Sequence, residues 1–117
     1  MIDKNAVPTK LLWVDLEMTG LDAAEDLILE VAAEVTDFDF TTLASYEAIV
    51  RQAKEPVVER MRKNIWWQDF PQNRDEFVRK LDSGKPLQEI EQELIKLVED
   101  QFGQEPAVLG NWMCDST

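Results

Sequence analysis

Residues 11–18, Leu-Leu-Trp-Val-Asp-Leu-Glu-Met, form an apolar run broken by two acids and closed by Gly20. Its length and its glycine boundary predict a buried strand. Residues 27–37 fit helix or strand by propensity. Their β-branched residues and the acidic stretch Asp37–Asp39 favour a strand leading into a hairpin, with residues 45–51 as the antiparallel third strand. Helices follow. Pro56 suits the first position of a short helix through Arg62. Asn73-Arg-Asp-Glu76 has capping-box spacing, ahead of a buried stripe of Phe77, Val78 and Leu81. After a turn at Ser83-Gly84-Lys85, Pro86 opens the longest helix, which runs to Phe102. Leu87, Ile90, Leu94, Leu97 and Val98 form its apolar face, and Gly103 is its stop. Residues 106–110 predict a fourth strand, beside the first, and Asn111 begins a turn into another helix. Three strands, helices and a returning strand describe an α/β domain with a mixed sheet.

Composition narrows the picture. The 117 residues fit one domain, and a hydrophobic fraction of 44% supports a real core. No apolar run is long enough to cross a membrane, and the polar N-terminus has no signal-peptide core. Cys114 is the only cysteine, so no internal disulfide forms. These features predict a soluble, cytoplasmic protein. Twelve basic against 24 acidic residues give a net charge of −12. A long basic stripe for duplex binding is missing, so a polyanionic partner must be short, touch a local patch, or come through bound cations. The chain has no histidine, which removes the most common general base and one common metal ligand.

The acids inside the first strand are the candidate chemistry. A strand alternates its side chains, so Asp15 and Glu17 share one face while Val14 and Leu16 point into the core. Adjacent carboxylates repel and lose hydration when covered, and a divalent cation compensates. Oxygen-only ligands suit Mg²⁺ or Mn²⁺. The competing reading is an exposed strand face with solvated acids. The apolar setting and the Thr-Gly turn that follows favour a site at the carboxyl end of the strand, where α/β sheets bind ligands. Asp115, four residues beyond Asn111, is the natural third acid. Its alternative reading is an ordinary acid at a helix start.

Residues 14–22, Val-Asp-Leu-Glu-Met-Thr-Gly-Leu-Asp, resemble the first motif of the DEDD family of 3′→5′ exonucleases, in the wording of its oligoribonuclease branch. Residues 28–37 are similar to that branch's second strand, and Gly110-Asn111 with Asp115 looks like the second motif. The resemblance implies a ribonuclease-H-like fold with three antiparallel strands, a parallel strand and flanking helices. It implies a 3′→5′ exoribonuclease that cuts short single-stranded RNA to nucleoside monophosphates, acts as a homodimer, and uses two divalent metals. Asp15, Glu17 and Asp115 would be three of four acidic ligands. Met18 and Thr19 main-chain groups would cradle the terminal nucleotide, Leu21 would wedge against the bases, and Asn111 would contact substrate. Trp67 would stack on the substrate, although either Trp66 or Trp67 also fits helix-packing core.

The chain departs from the pattern in two places. Asn111-x-x-x-Asp115 has proofreading-type spacing, one residue shorter than is usual in oligoribonucleases. The third motif, a His or Tyr followed by the fourth Asp, is missing. The expectation is therefore an N-terminal portion of such an enzyme, with little or no activity alone, because loss of general-base help costs roughly 10²–10⁴-fold. Two rivals remain. Asp15-x-Glu17-x-Thr19 matches the spacing of a haloacid-dehalogenase-like phosphatase loop, with Glu a poor substitute for its second Asp. The acidic segment 87–105 could instead serve a non-catalytic interaction domain.

Overall fold

A computed structural model describes residues 2–3 and 5–110. The strands are β1 (Lys10–Met18), β2 (Ile28–Asp37), β3 (Thr42–Ile49) and β4 (Val108–Leu109). The helices are α1 (Lys54–Arg62), α2 (Ile65–Asp69), α3 (Pro71–Lys80) and α4 (Leu87–Phe102), with a 3₁₀ turn at Leu81–Ser83 between the last two. The sheet order is β3-β2-β1-β4. β4 runs parallel to β1, pairing Leu11 with Val108 and Leu12 with Leu109, and the first three strands are antiparallel. This is the expected mixed α/β sheet, consistent with a ribonuclease-H-like fold.

The helix boundaries differ in the middle of the chain. Asn73 is not a cap: α3 already starts at Pro71, where proline's fixed φ and missing N–H suit the first turn. The short α2 was not expected. Its cap is Asn64, whose side-chain oxygen accepts the Trp66 amide at 2.9 Å.

The chain divides into two compact units. The described part of the first comes from the stretches ending at Asp15, Ala32–Glu47 and from Glu91 onward. Leu12, Ala33, Val35 and Phe102 form its core, with Ala44, Tyr46, Leu94, Leu97 and Val98 packed around it. The Thr9 amide and hydroxyl donate to Glu105, at 2.9 and 2.8 Å. Gly103 ends α4 with φ +59°, the left-handed conformation that glycine adopts without penalty. In the β2–β3 turn Asp37 Oδ1 accepts the amides of Asp39 and Thr41. Phe40 sits there at φ 65° with its ring centroid 6.0 Å from that of Trp13.

The second unit comprises Leu16–Val31 and Ala48–Ile90. Its core is Leu29, Val57, Met61, Trp67 and Leu81, with Leu27, Phe77 and Val78 partly buried against it. The ring of Phe77 meets Trp67 edge-on at 5.6 Å. Ile90 is buried as predicted, whereas Leu87, one turn earlier on the same apolar stripe, is half exposed.

Strand β1 also corrects an expectation. Val14 and Leu16 are 41% and 43% exposed rather than core. On their side of the strand, the apolar residues of α4 reach Leu12, which is buried with Leu94, Leu97, Val98 and Phe102. Apolar sequence made the strand but did not by itself supply the cover.

Candidate functional site

Alternation along β1 carries Asp15 and Glu17 on one side of a continuous strand, both exposed. Asp15 borders a depression of the first unit, with Trp13, Ala32, Glu34, Ser45 and Glu47 around it. Glu17 borders a depression of about 290 Å³ in the second unit, lined also by Leu16, Met18, Gly20, Leu21, Asn64, Trp66 and Trp67. Among the described residues no group of three or more acids, cysteines or histidines is placed to hold a metal ion. The two β1 carboxylates supply oxygen donors of the kind that suit Mg²⁺ or Mn²⁺. The expected third ligand, Asp115, and Asn111 lie outside the described residues.

The loop after β1 owes its shape to Thr19 and Asp26. Thr19 is fully buried. Its amide donates to the Leu27 carbonyl at 2.9 Å, and its hydroxyl donates to Asp26 Oδ1 at 2.8 Å while accepting the Leu27 amide at 2.9 Å. The Thr19 carbonyl accepts Trp67 Nε1 at 3.0 Å and Asn64 Nδ2 at 3.2 Å. Asp26 also accepts the Asp22 amide at 2.9 Å and Arg60 Nε at 3.1 Å. Burial raises the Asp26 carboxyl. Hydrogen bonds from Arg60, Thr19 and the Asp22 amide, with the Arg60 charge, more than offset this and hold it below the usual aspartate range. Gly20 passes so close that a Cβ there would lie 2.4 Å from Asp26 Oδ2, so no larger residue fits without moving the carboxylate.

These contacts bear on two of the expected site positions, Thr19 and Trp67. Thr19 was expected to offer main-chain groups to a nucleotide, but its N–H and C=O already serve Leu27, Trp67 and Asn64 inside the protein. Of the expected cradle, Met18 is the part that lines the depression. Trp67 was expected to stack on substrate. It is 2% exposed, in the core, with its indole N–H spent on Thr19. The accessible indole is Trp66, 43% exposed, packed edge-on to Trp67 at 4.6 Å and tilted on Phe70 at 4.8 Å. Leu21, the expected wedge, is fully exposed at the rim. Asp26, Arg60 and Asn64, which shape this loop, were not singled out in the sequence, where Trp66 was weighed only beside Trp67. Asn64 immediately before Ile-Trp-Trp was the available signal, because a cap there sets which indole turns inward.

In the first unit, Gly110 donates its amide to the Leu12 carbonyl at 2.8 Å and lies against the Trp13 ring, where a Cβ would come within 2.4 Å of Cε3. Trp13 is in turn held by its indole N–H, which donates to Thr36 Oγ1 at 2.9 Å. Gly110 therefore packs on the side of β1 that bears Trp13.

No helix among the described residues is long and apolar enough to cross a membrane. No protein-family model matches the chain. Curated relatives do. The chain is 37% identical over 109 residues to the oligoribonuclease of Pseudomonas fluorescens (strain Pf0-1), covering 92% of this chain and 59% of that protein. It is 48% identical over 54 residues to the oligoribonuclease of Pseudomonas paraeruginosa (strain DSM 24068 / PA7), covering 46% of this chain and 30% of that one. Against the oligoribonuclease of Thiobacillus denitrificans (strain ATCC 25259 / T1) it is 44% identical over 54 residues, with the same shares covered. The chain thus spans 59% of the length of the Pseudomonas fluorescens relative, and over 92% of its own length its sequence is oligoribonuclease-like.

Proposed function

We propose that the chain carries the nucleotide-binding part of a 3′→5′ exoribonuclease acting on short oligoribonucleotides. The observation that carries this is the depression lined by Glu17, Met18, Leu21 and Trp66, which brings a carboxylate, an exposed aliphatic side chain and an accessible indole together. The likeness to oligoribonucleases supports the same reading. Trp66 offers its face to a base whatever the sequence, as degradation of mixed oligonucleotides requires. Leu21 at the rim parts the terminal base from its neighbour. The acidic surface favours a short substrate, since a protein with net charge −12 repels long polyanions.

Asp15 and Glu17 on β1, with Asp115, would hold Mg²⁺ or Mn²⁺, two ions in a complete site. When bound, such metals supply Lewis-acid activation of water and stabilise the leaving 3′ oxygen. The chain's own contribution is to hold the terminal nucleotide beside Glu17 through Met18, Leu21 and Trp66, with Asn111 as a further substrate contact. The 117 residues contain no histidine to accept a proton from water, so their turnover alone is slow. The active form is a homodimer in the cytoplasm.

The test is incubation with a 5′-labelled diribonucleotide and Mn²⁺. Slow release of labelled mononucleotide, abolished by Asp15→Asn, is expected. Internal cleavage of a longer labelled RNA, or phosphate release without phosphodiester cleavage, would contradict the assignment.

A further inference from the structure

Asp26 and Arg60 lie outside the residues that border the depression, yet they hold its rim. Asp26 faces three donors from three parts of the second unit: the Thr19 hydroxyl at the end of β1, the Asp22 amide in the loop, and Arg60 Nε on α1. Its side chain is only 6% exposed, and that of Arg60 is 23% exposed. Gly20 has no Cβ where the carboxylate needs the space. Thr19 in turn receives Trp67 and Asn64 on its carbonyl. Asn64 caps the helix that presents Trp66. One buried carboxylate therefore ties the loop that carries Leu21 to the helical segment that carries Trp66.

We propose that Asp26 and Arg60 are positioning residues that fix the spacing between Leu21 and Trp66 and so set nucleotide affinity, a claim that rests on the functional reading above. Neither residue touches the nucleotide. Leu21 is fully exposed and has no packing of its own to hold it, so its position comes from the main chain of residues 19–22. Three hydrogen bonds to a carboxylate, one of them from a guanidinium, are stronger than neutral ones and order that main chain before ligand arrives. A pre-ordered loop binds more tightly because its entropy has already been lost on folding. An isolated Asp or Arg on the surface would have no such effect.

The experiment compares the full 117-residue chain with Asp26→Asn, Asp26→Ala, Arg60→Gln and Arg60→Lys. Calorimetry reads the affinity for Mn²⁺ alone and for 5′-AMP in the presence of Mn²⁺. Hydrogen exchange reads the Asp22 amide against the core amides of Leu29 and Val31. Mn²⁺ affinity stays within about twofold in all variants. Affinity for 5′-AMP falls about tenfold in Asp26→Asn, Asp26→Ala and Arg60→Gln, the loss expected for one charge-assisted bond. It recovers to within about threefold in Arg60→Lys, which keeps the charge. The Asp22 amide exchanges faster in Asp26→Ala while the core amides keep their protection, a pattern that general destabilisation would not give. Unchanged 5′-AMP affinity in the Asn and Gln variants would overturn the proposal, as would parallel loss of core protection. If the wild-type chain binds no nucleotide, the functional reading fails by itself. Exchange still judges the tether, and an unaltered Asp22 amide in Asp26→Ala would refute it.

Discussion

Replacing Trp67 and Trp66 one at a time separates a core indole from a binding indole. Trp67 is 2% exposed among Leu29, Val57, Met61 and Leu81, with Phe77 against its ring. Trp67→Ala leaves a large cavity there and costs about 3–5 kcal/mol. It also removes one donor from the Thr19 carbonyl, which keeps Asn64 as a partner, so this adds only about 0.5–1.5 kcal/mol. Against a typical total stability of about 5–15 kcal/mol, the variant is close to unfolding. Trp66→Ala gives up its contacts with Trp67 and Phe70, about 1–3 kcal/mol for two aromatic pairs. It also weakens binding. Loss of one base–aromatic stack costs about 1–3 kcal/mol, roughly five- to 150-fold in affinity. Urea titration followed by far-ultraviolet circular dichroism reads stability, and calorimetry with Mn²⁺ and 5′-AMP reads binding. Equal destabilisation by both substitutions, or a folded Trp67→Ala protein that alone loses nucleotide binding, would refute the reasoning.

Three further expectations follow from the same contacts. Gly20→Ala drives a Cβ into Asp26 Oδ2, and overpacking of this kind costs about 1–3 kcal/mol, visible as a lowered urea midpoint together with weaker 5′-AMP binding. Gly110→Ala pushes the Trp13 ring and strains its bond to Thr36; the expected result is a lower melting temperature and a shifted tryptophan emission, and an unchanged spectrum would count against the close packing. Asp26 titrates below the ordinary aspartate value of about 3.9 when folded. Its contribution to stability is therefore fully present above about pH 4 and is lost as pH falls through the folded value. Acid titration of wild-type protein should steepen in that window, while Asp26→Asn gives a flatter curve; parallel curves would contradict the assigned hydrogen bonds.

Strand β1 and its acids were legible because an apolar run interrupted at alternate positions suits a strand far better than a helix, and the Gly20 turn fixed its end. The parallel return of β4 was legible from the long helix that precedes it. Two things were not. Exposure of Val14 and Leu16 depends on how far the apolar residues of α4 extend along the strand, which no local pattern reports. The choice between Trp66 and Trp67 depends on helical phase, and that phase is set by a single cap at Asn64. Asp26 was hidden for a different reason. In sequence it is one acid among 24, and only the convergence of Thr19, Asp22 and Arg60 upon it sets it apart.

Asp15 and Glu17 remain the centre of the account, and metal-dependent nucleotide binding tests them most directly. Calorimetry of folded wild-type chain, Asp15→Asn and Glu17→Gln with Mn²⁺ and 5′-AMP gives the answer. Wild-type protein is expected to bind the nucleotide only when Mn²⁺ is present, and either substitution is expected to abolish that Mn²⁺-dependent binding while the urea midpoint stays nearly unchanged. Mn²⁺-dependent binding of 5′-AMP by either Asp15→Asn or Glu17→Gln at wild-type affinity would contradict it.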